Sequence, residues 1–194
     1  MNPVGHELDM RKYIRLRRPG ATYFFTINLQ QREGNRLLID RIDALRHAIA
    51  ETRRAHPFSI DAIVVLPEHL HALWTLPVGD ADYSMRLALI KAGFSRVIAR
   101  GETLSASRAR RRERGIWQRR FYEHTIRDER DMKAHIDYIH WNPVKHGWVP
   151  QTADWPWSSF HRYVREGALP VDWGNASQLP QNQTKQDYTS PQTP

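Results

Sequence analysis

FSIDAIVVLPEHLHALWTL, Phe58 to Leu76, is the stretch on which the fold turns. Its two apolar and β-branched runs, Phe58 to Leu66 and Leu70 to Leu76, read as strands. Pro67-Glu68 between them breaks the hydrogen-bonded ladder, so the pattern predicts adjacent antiparallel strands. His69 and His71 flank Leu70, and alternate residues of a strand share a face. Both imidazoles therefore point the same way, while Leu70 points into the core.

Outward from this pair, the other elements follow. TYFFTINL, Thr22 to Leu29, combines aromatic and β-branched residues as a half-buried strand does. From Asp40, a plausible N-cap, to Arg54 the apolar residues Ile42, Leu45 and Ile49 recur in helical steps. A second helix is expected from Tyr83 to Ala99, with Met85, Leu89 and Ala92 or Gly93 marking its apolar face and Arg86, Lys91 and Arg96 elsewhere. Ile116 to Ile126 reads as a further strand. A last helix is expected to begin at Asp128 to Asp131, where acids suit an N-terminus, and to stop at Trp141 because Pro143 disfavours helix at Asn142.

The order strand, helix, strand, strand, helix, strand, helix predicts an α+β protein: a ferredoxin-like antiparallel sheet with helices on one face, plus N- and C-terminal extensions. Residues 1–20 form a basic arm and 21–149 the domain. Residues 150–175 are a C-terminal extension in which WPWSSFHRYV adds aromatic and polar surface, and 176–194 a disordered tail.

The 194 residues suffice for one buried core. A net charge of +8 makes nucleic acid the leading partner. The charge is concentrated: Arg86 through Arg120 carries eleven Lys or Arg against Glu102 and Glu113. Such a block either stays solvated as a mobile loop or meets phosphates, and phosphate contact is the reading adopted. Arg119 and Arg120, beside Trp117 and Phe121, are the first DNA-contact candidates, although in a strand only one of the two can face the substrate. His124, among aromatics able to stack on bases, and Arg17 and Arg18 of the arm follow. The chain has no cysteine, which removes disulfides, thiolate zinc sites and a cysteine nucleophile. With no apolar leader and no run of about 18 apolar residues, a soluble cytoplasmic protein without membrane contact is expected.

His69 and His71 could share a metal ion, or be two ordinary hydrogen-bonded histidines. Tyr138 and Asn142 lie four apart on the last helix and so share a face. Asn142 could offer its amide oxygen to the ion while Tyr138 presents a phenol; alternatively Tyr138 is a core aromatic. A phenol with a pKa of about 10 must lose its proton on or before attack.

PEHLHALWTLP, WQRRFYEHTIR and HIDYIHWNPVKHGWV, in that order and spacing, resemble the REP-associated tyrosine transposases. These are a branch of the single-tyrosine transposases within the HUH (His-hydrophobic-His) endonuclease superfamily. The similarity runs from about residue 12 to 175. It implies His69 and His71 as metal ligands, Asn142 as the third, where many other single-tyrosine transposases have glutamine, and Tyr138 as nucleophile. It further implies Mg²⁺ or Mn²⁺, a 5′-phosphotyrosine intermediate with a freed 3′ hydroxyl, and no use of ATP. The implied substrates are single-stranded DNA hairpins with a flanking tetranucleotide, handled by a monomer or homodimer. The stretch from Gly101 to Arg114 is longer and more basic than in a typical member. The alternative is a hairpin-binding regulator of the same fold that does not cleave.

Overall fold

The computed structural model describes residues 17–101, 105–111 and 113–175. Most of the expected arm, part of the basic insert and the expected disordered tail lie outside the described residues. Four strands, β1 (Thr22–Asn28), β2 (Ser59–Val65), β3 (His69–Thr75) and β4 (Tyr122–Thr125), form one antiparallel sheet in the order β2-β3-β1-β4. This is the ferredoxin-like arrangement, and the protein is α+β.

Alternation along β1 divides the helices. Tyr23 and Phe25 point to one face, where their rings lie 4.6 and 5.4 Å from Tyr83 of α3 (Tyr83–Arg96). On that face α3 packs on α2 (Ile42–Ala55), so closely that a Cβ at Gly93 would stand 3.1 Å from that of Ala48. Phe24 points to the opposite face, against His135 and Tyr138 of α5 (Glu129–Lys145). The two crossover helices thus share one face, and α5, beyond the last strand, covers the other.

Several local expectations are corrected. Asp40 does not cap α2; it closes a separate turn, α1 (Leu37–Asp40), whose start is held by the Asn35 side chain accepting from the Leu37 N–H. The buried face of α3 is Tyr83, Arg86, Leu87, Ile90 and Phe94, whereas Leu89 is exposed. Arg86 is buried because its guanidinium satisfies the carbonyls of His56, Pro57 and Asp82 and the carboxylate of Asp80, the last at 2.6 Å. Only Tyr122–Thr125 of the expected 116–126 strand forms a strand; Trp117 makes an isolated bridge to Leu29, and Arg119 and Arg120 lie in the connection. A short helix, α4 (Ala106–Arg110), interrupts the basic insert.

Helix α5 runs through Pro143 to Lys145. A proline in the last turn removes one N–H only, and the remaining carbonyls are closed by a Schellman stop: Trp148 donates to the Pro143 carbonyl and Gly147, at φ +71°, to that of Val144. His146-Gly147-Trp148 ends the helix, rather than Asn142-Pro143.

The C-terminal extension is more than added surface. Val65 donates to the Trp157 carbonyl and Ser159 to that of Ile63, both at 2.8 Å, so residues 157–159 pair along the outer side of β2. Trp155 and Phe160 are buried, and α6 (Phe160–Arg165) follows. No helix among the described residues is long and apolar enough to cross a membrane.

Candidate active site

His69 and His71 leave β3 on the face that α5 covers. Their rings lie 4.9 Å apart, and the Tyr138 ring lies 5.1 Å from His71. Both histidines are almost fully buried, so each ring nitrogen needs a partner. Nδ1 of His69 lies 2.9 Å from Oε1 of Glu68, which also accepts from Arg32 at 3.2 Å. Burial works against the Glu68 charge, but the hydrogen bond and charge of His69, with Arg32, hold its carboxyl down at about 2. An ionised carboxylate only accepts, so His69 donates from Nδ1, and Nε2 is the ring nitrogen left to ligate.

Nδ1 of His71 lies 2.9 Å from the Thr26 hydroxyl, and Thr26 is its registered neighbour on β1. Nε2 of the same ring is buried without a hydrogen-bond partner. Burial first, then the charges of His69, His146, Lys145 and Arg32, push His71 well below its ordinary range and keep the ring neutral. Asn142, one turn beyond Tyr138, is fully buried, and neither its Oδ1 nor its Nδ2 has a partner. Orphaned buried amide and imidazole atoms are costly, at about 1–3 kcal/mol each, and demand an explanation.

The same helical face continues to Lys145 and His146. Nζ of Lys145 stands 5.0 Å from the Tyr138 ring centroid, and the His146 ring lies 5.7 Å from His69. Burial lowers the pKa of both, with His69 and Lys145 adding to the effect on His146. Ending the helix at Trp141 hid both residues; their spacing of seven and eight from Tyr138 was the available signal. Glu68 and Thr26 were also missed. Glu68 adjoins His69 in the chain, but Thr26 reaches His71 only through strand register.

A second polar cluster lies along the same face. Nε2 of His124 contacts Oδ2 of Asp131 at 2.8 Å, Arg127 reaches the same oxygen at 3.1 Å, and Nδ1 of His135 lies 3.2 Å from Oδ1. Potential ligand atoms of His124, Asp131 and His135 fall within 4.8 Å of one another. Two ligands on a tetrahedral ion at about 2.0 Å each would stand about 3.3 Å apart. The 2.8 Å contact and the competing guanidinium instead make a hydrogen-bonded anchor joining β4 to the start of α5.

Among the expected site residues, His69, His71 and Tyr138 come together, with Asn142 on the same helix. His124 is held by Asp131. Arg119 is engaged by Glu113, its Nε 2.8 and 3.1 Å from the two carboxylate oxygens, and by Ser107. Arg120 is exposed. Arg17 and Arg18 lie before the Thr22 end of β1, whereas Asn28 at the other end is registered with His69.

A ferredoxin-like sheet presenting a His-x-His strand to a tyrosine-bearing helix defines the class of protein. A REP-associated tyrosine transposase of Escherichia coli (strain K12) is 47% identical over 164 residues, 84% of this chain and 91% of that one. A Haemophilus influenzae relative, provisionally named for the same family, is 45% identical over 171 residues, 88% and 97% of the two chains. The solved structure of a REP-associated tyrosine transposase bound to a REP hairpin superposes with a TM-score of 0.73 at 44% identity, covering 89% of this chain and 96% of that one. No protein-family model matches. The chain belongs to the family of REP-associated tyrosine transposases.

Proposed function

We propose that the protein nicks and rejoins single-stranded DNA at repeat-derived hairpins, with Tyr138 as nucleophile beside a divalent metal held by His69, His71 and Asn142. The observation that carries this reading is the buried, unpartnered Nε2 of His71 and side-chain amide of Asn142 on the face shared with Tyr138. The donor set fits a cation: two imidazoles whose far nitrogens are oriented by Glu68 and Thr26, as ligating histidines require, plus one amide oxygen. Imidazole with oxygen suits Mn²⁺, with Mg²⁺ the harder alternative. When bound, the ion supplies Lewis acidity toward a non-bridging oxygen of the scissile phosphate.

The chain's own residues do the rest. Tyr138 Oη loses its proton and forms the bond to phosphorus; the bond to the 3′ oxygen breaks, and that oxygen takes up a proton to leave a 3′ hydroxyl. Lys145, above the Tyr138 ring, places positive charge beside the developing phenolate. The product is a 5′-phosphotyrosine, and attack by a 3′ hydroxyl reverses it without ATP. The hairpin substrate is supported by the relative solved with a REP hairpin.

Incubation with labelled hairpin and Mn²⁺ should give a covalent protein–DNA adduct that Tyr138→Phe does not form. Hairpin binding without an adduct under any divalent metal would favour the non-cleaving regulator instead.

A further inference from the structure

On the other face of the sheet, a cleft of about 650 Å³ opens between the C-terminal half of α3 and the segment from Arg108 to Arg119. Glu113 is the one acid among its described lining residues, against seven Lys or Arg. These cations fall into two groups. Some build the cleft: Arg114 donates to the carbonyls of Ser95, Ile98 and Ala99, closing the end of α3, Arg108 to Trp117 and Gln30, and Arg119 to Glu113. Arg96, Arg100 and Arg111 are exposed and make no side-chain hydrogen bond or ion pair among the described residues. A concave wall fixed by internal arginines thus presents three further guanidiniums to solvent.

We infer that this cleft holds the sugar-phosphate backbone of the base-paired stem of the DNA, through Arg96, Arg100 and Arg111, while the unpaired strand enters the histidine–tyrosine pocket. This deepens the proposed function and rests on it. Two observations favour the stem over unpaired bases. Trp117 is the only aromatic among the described lining residues, and it is buried, its ring 5.3 Å from Phe94 and its Nε1 donating to the Lys91 carbonyl. It offers no free face, whereas unpaired bases are held by exposed aromatic platforms. A duplex stacks its own bases and shows the protein phosphates, for which guanidinium forks are suited.

The second observation is position. Gln118 donates to the Asn28 carbonyl and Gln30 to that of Ile116, while Asn28 is registered with His69. The cleft and the pocket therefore flank the same end of β1 from opposite faces, and one hairpin can reach both around that end.

The test is metal-free binding by Tyr138→Phe protein, with and without Arg96→Gln, Arg100→Gln and Arg111→Gln together. Two ligands are compared, a hairpin with its 5′ flank and the same flank without a stem. With the hairpin, the triple variant should bind at least about tenfold more weakly at about 0.1 M salt, and its slope of log K against log salt should be shallower by about 0.9 per lost phosphate contact. Affinity for the stemless flank should not change. An unchanged hairpin slope, or an equal loss on the stemless flank, overturns the stem assignment while leaving the chemistry at Tyr138 intact. Failure of the Tyr138→Phe parent to bind any hairpin overturns both readings. A parent that binds through the cleft but, as wild type, forms no adduct with metal overturns only the cleavage.

Discussion

The Thr26 hydroxyl stands 2.9 Å from Nδ1 of His71, its registered partner across β1 and β3. That bond orients a buried ring, and when the hydroxyl accepts from Nδ1 it leaves Nε2 free to ligate. Thr26→Val keeps the shape and removes the bond. Titration of Mn²⁺ should show affinity weakened about 10- to 100-fold, the usual effect of losing such a partner, with metal-free hairpin binding unaltered. Equal Mn²⁺ affinity in parent and variant would argue that His71 is not a ligand.

Arg86 is the second relationship open to measurement. Its side chain is 2% exposed, and its partner Asp80 is 34% exposed at 2.6 Å. Arg86→Met strands the carbonyls of His56, Pro57 and Asp82 and the Asp80 charge, and should lower stability by about 3 kcal/mol in urea unfolding. Asp80→Asn, at the wetter end, should have a smaller effect. Equal losses from the two would mean that the carbonyl contacts contribute little.

Acid stability should report the Asp131 anchor. Burial opposes the Asp131 charge, but hydrogen bonds from His124 and Arg127 outweigh it and hold the carboxyl at about 2. Its unfolded value is about 3.9, so between about pH 4 and pH 2 the unfolded chain binds the proton more readily. The stabilisation, about 2 kcal/mol, is therefore complete above about pH 4 and disappears as pH falls through about 2. In Asp131→Asn that part of the pH slope should vanish; parallel curves for parent and variant would remove Asp131 as its source.

Ser159 ties the C-terminal extension to both β2 and α5. Its hydroxyl accepts from the Ile63 N–H and lies 2.9 Å from Nε2 of His140, whose pKa burial pushes down to about 4. Ser159→Ala therefore leaves both the Ile63 N–H and Nε2 of His140 without this partner. A loss of about 2–3 kcal/mol is expected in urea unfolding, and a loss under about 0.5 kcal/mol would mean that water replaces the hydroxyl.

Strands β1, β2 and β3 and both crossover helices were legible because Phe24, Phe25, Leu73 and Trp74 belong to runs whose period and composition are local properties. The same patterning placed His69 and His71 on one face. What escaped was decided at a distance. Arg86 looks like a surface residue until Asp80, His56 and Pro57 converge on it, and the face of α3 was misjudged for that reason. Pro143 reads as a stop until Gly147 and Trp148 supply a better one. Thr26 and His71 are 45 residues apart in the chain and meet only through register.

Residues 157–159 occupy the outer side of β2, and β4, the strand at the opposite edge, is four residues long. The sheet therefore offers a second copy little backbone to annex. Strand-to-strand association through β2 would first require Trp157 to Ser159 to be ejected. A released segment could then fill the same position on a neighbouring molecule. A sheet-linked dimer would thus require exchange of this segment, whereas a chain cut back to before Trp155 would bare the β2 ladder and invite aggregation.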